Sequence, residues 1–108
     1  MGVSERSVFT LAFQDLFFEV IFIDTPNETN VDSIYEIVEK HASNIAAFIY
    51  EPLIQGAGGM KMYDAIYLNA LLKKIKEKEI ICIADEVMTG FFRTGKFFAS
   101  DYMEEKPD

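Results

Sequence analysis

Asp85 and Glu86 stand together where the apolar run Ile80 to Ala84 stops, inside the segment I-C-I-A-D-E-V-M-T-G-F-F-R-T-G from Ile81 to Gly95. In an open α/β sheet, ligands bind just beyond the carboxyl ends of the parallel strands. An aspartate there is well placed to hold a cationic partner. Two readings of Asp85 stand on spacing alone: a partly withdrawn carboxylate paired with a positive group of a ligand, or a polar strand terminus or helix cap. Glu86 points to the opposite side of the chain and reads as structural. Arg93 lies in a loop bounded by Gly90 and Gly95. Its planar guanidinium suits bidentate recognition of a carboxylate or phosphate, with a surface salt bridge as the alternative.

The other candidates are weaker. Glu51, at the exit of an earlier apolar run, repeats the strand-end pattern, but a glutamate before Pro52 reads as a structural anchor. His41 closes a helical stretch, where an imidazole caps free carbonyls. Cys82, between two isoleucines with no basic neighbour in sequence, reads as an inert core thiol. Gln55-Gly56-Ala57-Gly58-Gly59 is a flexible loop that lets backbone approach something closely. It has neither the Lys-Ser/Thr ending of a P-loop nor the order G-x-G-x-x-G, so no standard nucleotide motif is supported.

These residues need elements to position them. Phe17 to Ile23, F-F-E-V-I-F-I, reads as a buried strand closed by the turn residues Asp24-Thr25-Pro26-Asn27. A helical period begins after Asn30, a plausible N-cap: Val31, Ile34, Ile37, Val38 and Ala42 share a face, and Asp32 suits the positive end of the helix dipole. Ala46 to Tyr50 reads as a second strand, stopped by Pro52, which cannot donate to a ladder. Leu68, Leu71, Leu72 and Ile75 repeat at helical spacing, with basic residues near the C-terminal end. Ile80 to Ala84, apolar on both faces, reads as a central strand covered by helices on both sides. The order β-α-β-α-β predicts an α/β fold with a mostly parallel sheet, as part of a three-layer arrangement. Ser100 to Asp108 is acidic and carries no completed element.

Composition narrows the class. The 108 residues suffice for one domain, and half of them are apolar. Ten Lys and Arg face eighteen Asp and Glu, for a net charge of -8. With no basic stripe to track phosphates, nucleic-acid binding is not expected. A single cysteine cannot form an intramolecular disulfide, which fits a cytoplasmic setting. Val8 to Ile23 is interrupted by Gln14, Asp15 and Glu19, so neither a membrane span nor a signal peptide is indicated. Met1-Gly2 does not satisfy the myristoylation pattern, because Arg6 stands where Ser or Thr is required. Ten Phe and five Tyr are more aromatic surface than a small core needs.

Three ordered motifs, E-P-L-I-Q-G-A-G-G-M from Glu51, I-A-D-E-V from Ile83 and T-G-F-F-R-T-G-K from Thr89, closely resemble the class III aminotransferases, pyridoxal-phosphate enzymes of fold type I. Within that family, Gly56 to Tyr63 is most similar to the biotin-pathway branch, which moves an amino group from S-adenosylmethionine to 8-amino-7-oxononanoate. Branches acting on ornithine or 4-aminobutyrate carry a Glu soon after the Q-G pair, where Ala57 follows here. The resemblance implies that Asp85 pairs with the pyridinium nitrogen of pyridoxal phosphate, that Val87 packs on its ring, and that Arg93 recognises a substrate carboxylate. An aspartate beside that nitrogen keeps it protonated, so the ring can accept electrons as the substrate Cα–H bond breaks.

The sequence departs from the family at three points. Met88 replaces a Gln that many members use on the phenolic oxygen of the cofactor, although the biotin branch itself carries a small apolar residue there. Phe92 replaces the Gly of G-F-G-R-T-G, which is expected to stiffen or displace the loop carrying Arg93. No lysine matches the one that holds the cofactor covalently, about thirty residues beyond the aspartate. Residues 1–108 are therefore expected to be part of the pyridoxal-phosphate-binding large domain of a longer enzyme, inactive alone, with Met1 an internal methionine and no complete second domain. Small-molecule substrates and a homodimer or other self-association are the implied partners. Two alternatives stay open: another class III ω-amino-acid transaminase, or a small acidic receiver-like domain binding a divalent cation through Asp85, Glu86, Asp24 and Glu51.

Overall fold

Four apolar side chains on one helical face organise the core. Leu68, Leu71, Leu72 and Ile75 are all buried, and each contributes about 1.5–3 kcal/mol of hydrophobic burial. They lie on α2, Ala65–Lys76. Its first turn is capped by Asp64, whose Oδ1 accepts the Ile66 N–H at 2.9 Å, a cap worth about 1 kcal/mol. Lys73, Lys74 and Lys76 occupy the last turn, where cations complement the helix dipole. The structure is a computed structural model and describes residues 2–108; Met1, on which the myristoylation and start-site readings rest, lies outside them.

α1, Val31–His41, buries Ile34 and Val38 and packs against α2. Two strands complete the core. β1, Ala47–Tyr50, pairs in parallel with β4, Ile81–Ala84, with Ala47 opposite Ile81 and Tyr50 opposite Ala84. Between them β2, Ile54–Gln55, and β3, Lys61–Met62, form an antiparallel hairpin. Phe48, Tyr50 and Cys82 face the helices, and Ile49, Ile81 and Ile83 stand 40–54% exposed on the other face. The architecture is α/β with a parallel sheet, as expected.

The structure corrects several details. Phe17 to Ile23 forms no strand, and Phe18, Ile21 and Phe22 are exposed. A strand needs a neighbour for its backbone N–H and C=O groups, and β1 and β4 pair only with each other among the described residues. The β-α-β-α-β order therefore begins at α1. Among the described residues helices cover one face of the sheet, not two. Asn30 precedes α1 but caps it with no side-chain bond; its amide instead joins Thr25 O and Asn27 N in the preceding turn. Gln55 to Gly59 belongs to the β2–β3 hairpin rather than to a free loop. The C-terminal stretch also has form. Ala99–Tyr102 is a 3-10 turn, and Asp108 bonds Cys82 on the outer edge of β4, its N–H donating to Cys82 O at 2.9 Å and its Oδ2 accepting Cys82 N–H at 2.8 Å. No described helix is long and apolar enough to cross a membrane.

Candidate active site

Parallel register sets the carboxyl ends of β1 and β4 side by side, so Glu51 and Asp85, one residue beyond each strand, reach the same edge of the sheet. The Asp85 N–H donates to Tyr50 O at 2.7 Å, carrying the pairing one step past β4. Asp85 is half-buried. Its Oδ1 accepts the Val87 N–H at 3.0 Å, and no described residue bonds Oδ2. The Val87 side chain is 95% exposed. A carboxylate oxygen without a partner thus stands one tight turn from an apolar side chain open to solvent. An acceptor carboxylate beside an exposed apolar side chain is a combination that suits a cationic group with an apolar face.

Glu51 has a different use. Its Oε2 accepts the Gly56 N–H at 2.8 Å, and its carbonyl oxygen accepts the Tyr63 hydroxyl, so the residue ties the hairpin to the end of β1. Burial, then the neighbouring Tyr50 and Glu51, raise the Tyr63 hydroxyl above its ordinary range. The hairpin also meets the Asp85 segment directly. A Cβ on Gly56 would lie 2.7 Å from Met88 Cγ, so only glycine lets the two motifs close on each other. Met88 packs against this turn.

Glu86 faces away from Asp85, as expected, and is heavily bonded. Its Oε2 accepts the Thr89 hydroxyl at 2.6 Å and the Ala99 N–H at 3.0 Å; its Oε1 accepts the Ser100 N–H at 2.8 Å. Burial alone would push this carboxyl up, but the bonds from Thr89, Ser100 and Ala99 outweigh it and hold it below the ordinary value. Gly90 closes the turn: its N–H donates to Glu86 O at 2.8 Å, and a Cβ there would come within 2.9 Å of the same oxygen.

Arg93 lies on the loop that Glu86 closes. It is exposed, and its guanidinium makes no hydrogen bond or salt bridge among the described residues. The surface salt bridge is therefore not formed, and Arg93 is not brought into contact with Asp85. The departure at Phe92 leaves a backbone mark: Phe91 and Phe92 take φ of 56° and 64°, the left-handed region that suits glycine. His41 ends α1, and among the described residues its side chain makes no capping hydrogen bond. Cys82 is fully buried, and burial, followed by the nearby Asp108, pushes its thiol up to about 11.

The divalent-cation alternative fails on geometry. No three described His, Cys, Asp or Glu side chains converge, Glu51 is engaged by Gly56, and Glu86 turns away. Sequence reasoning missed Thr89, although its spacing from Glu86 suits a turn bond. It also missed Asp64, whose place before an apolar helical period is a capping signal. The Asp108–Cys82 pairing has no local signal at all.

A family profile described as aminotransferase class-III matches residues 1–108. The chain is 40% identical over its full length to the adenosylmethionine-8-amino-7-oxononanoate aminotransferase of Synechococcus elongatus, of which it covers 28%. It is 44% identical to the Helicobacter pylori protein of the same name, over 75% of the chain and 19% of that protein. The crystal structure of the Methanocaldococcus jannaschii protein of that name superposes with a TM-score of 0.75 at 37% identity, covering 87% of this chain and 22% of the other. The ornithine aminotransferase of Toxoplasma gondii, whose structure has partial occupancy of PLP at its active site, gives 0.67 at 36% identity, over 84% and 20%. The chain thus spans 19–28% of the length of these relatives.

Proposed function

The chain belongs to the class-III aminotransferases, and on that premise we propose that the whole protein transfers an amino group from S-adenosylmethionine to 8-amino-7-oxononanoate, in biotin synthesis. Pyridoxal phosphate is the cofactor, and residues 1–108 are part of the large domain that binds it. The observation that carries this reading is the turn at Asp85: Oδ1 is held by Val87 N–H, Oδ2 has no partner among the described residues, and Val87 is open to solvent.

When bound, pyridoxal phosphate supplies an electron sink for breaking the substrate Cα–H bond. Asp85 would hold the proton at the ring nitrogen, and the Val87 N–H, by engaging Oδ1, would leave Oδ2 as the acceptor. Val87 would pack on the ring and exclude water from it. Arg93, with no acidic partner among the described residues, recognises a substrate carboxylate through its planar fork.

The exposed apolar residues on the open sheet face and along Val8 to Phe22 suit burial against the rest of such an enzyme or a second subunit, in a cytoplasmic homodimer. Sedimentation of the chain alone, expected to show association, addresses that part; a stable monomer would count against it. The central test is an assay of the full-length protein with pyridoxal phosphate, 8-amino-7-oxononanoate and, in separate reactions, S-adenosylmethionine, ornithine and 4-aminobutyrate as donors. Turnover with S-adenosylmethionine is expected. Turnover only with ornithine or 4-aminobutyrate would move the protein to another branch.

A further inference from the structure

Glu86 takes no part in the chemistry proposed above, yet its carboxylate accepts three donors from two separate stretches of chain. Thr89 Oγ1 is fully buried in the turn just after it, while Ala99 and Ser100, both buried, lie thirteen and fourteen residues on. One side chain thereby fastens both ends of the Val87 to Phe98 loop. Asp85 is its immediate neighbour, held on the other side by the bond to Tyr50 O. Side chains alternate at a strand end, so drawing Glu86 into the loop closure sends Asp85 out to the opposite side. Rotation of that peptide unit would break all three Glu86 bonds together.

We propose that Glu86 is the positioning residue of this site: by closing the Val87 to Phe98 loop it sets the direction of the Asp85 carboxylate and holds the Asp85–Val87 turn. Its meaning for cofactor binding rests on the function proposed above. The geometric half does not. Gln is isosteric with Glu but offers one acceptor oxygen where this site needs two, and its amide would face an N–H or O–H donor. Thr89→Val removes one bond with little change of shape, and Thr89→Ser restores it.

The test is amide hydrogen exchange on the 108-residue chain. Glu86→Gln and Thr89→Val are each expected to speed exchange at Val87 N–H by about tenfold, with Leu72 on α2 unchanged and Thr89→Ser close to the parent. Unchanged exchange at Val87, or acceleration at Leu72 equal to that at Val87, overturns the positioning role. Pyridoxal phosphate titrated into the full-length protein separates the two claims. Weaker binding in Glu86→Gln supports both, and unchanged binding overturns the positioning role. A parent protein that binds no cofactor, while its Val87 amide still loosens on mutation, overturns the proposed function and leaves the positioning intact.

Discussion

The backbone N–H of Asp85 reaches the carbonyl oxygen of Tyr50 at 2.7 Å, one rung beyond the last paired residues of β1 and β4. That bond holds Asp85 in the sheet while the chain after it turns away. The aspartate therefore has its backbone fixed in the sheet and a half-buried side chain with one oxygen unpartnered among the described residues, a suitable combination for an electrostatic partner that must not reorganise.

Asp85→Asn keeps an oxygen for the Val87 N–H and removes the negative charge. In the full-length protein, the turnover rate is expected to fall at least about 100-fold, the scale of losing one preorganised electrostatic partner. The thermal midpoint should hardly move. Full activity in Asp85→Asn, measured at saturating substrate, would remove Asp85 from the proposed chemistry.

Stability should depend on pH through Glu86. Its carboxyl is depressed below the ordinary 4.5 when folded, so its contribution is fully present above the unfolded value and is lost as pH falls through the folded one. Urea midpoints of the parent are expected to drop in that acid range, and those of Glu86→Gln to be lower at neutral pH and flatter there. Parallel pH curves for the two proteins would contradict this assignment.

Left-handed backbone at non-glycine residues offers a contrast between two sites. Glu79 is exposed at φ 58°, just after α2, and Glu79→Gly should stabilise by about 1 kcal/mol, read as a higher urea midpoint. Phe92 has a similar φ of 64°, but its ring meets Phe97 edge-on at 5.2 Å. Losing that contact costs about 0.5–1.5 kcal/mol, so Phe92→Gly should be close to neutral.

Cys82 should resist modification. With no exposed surface and a thiol pushed up to about 11, almost none of it is the reactive thiolate at neutral pH. A thiol reagent is expected to label it only after urea unfolds the chain. Rapid stoichiometric labelling of the folded protein would show that β4 opens readily.

Leu72→Ala tests the core directly. The side chain is fully buried on α2, and its truncation is expected to cost about 2–5 kcal/mol. For a domain of this size that is a large share of its stability. Circular dichroism at rising temperature would show a midpoint far below that of the parent.

Much of this was legible in the residues alone. The helical faces of α1 and α2, the short apolar runs of β1 and β4, and Asp85 at a strand end are each written in spacings within one element, where periodicity and sequence neighbours decide the outcome. The motifs Glu51 to Met60, Ile83 to Val87 and Thr89 to Lys96 pointed to the family for the same reason. The path of the chain decided the rest. Phe17 to Ile23 has the composition of a strand but no described neighbour to pair with. Glu86 acquires its role from amides thirteen and fourteen residues away, and Asp108 completes the edge of β4 at Cys82, twenty-six residues earlier. Hydrogen bonds of that reach depend on where separate segments meet in space, and no local pattern encodes that meeting.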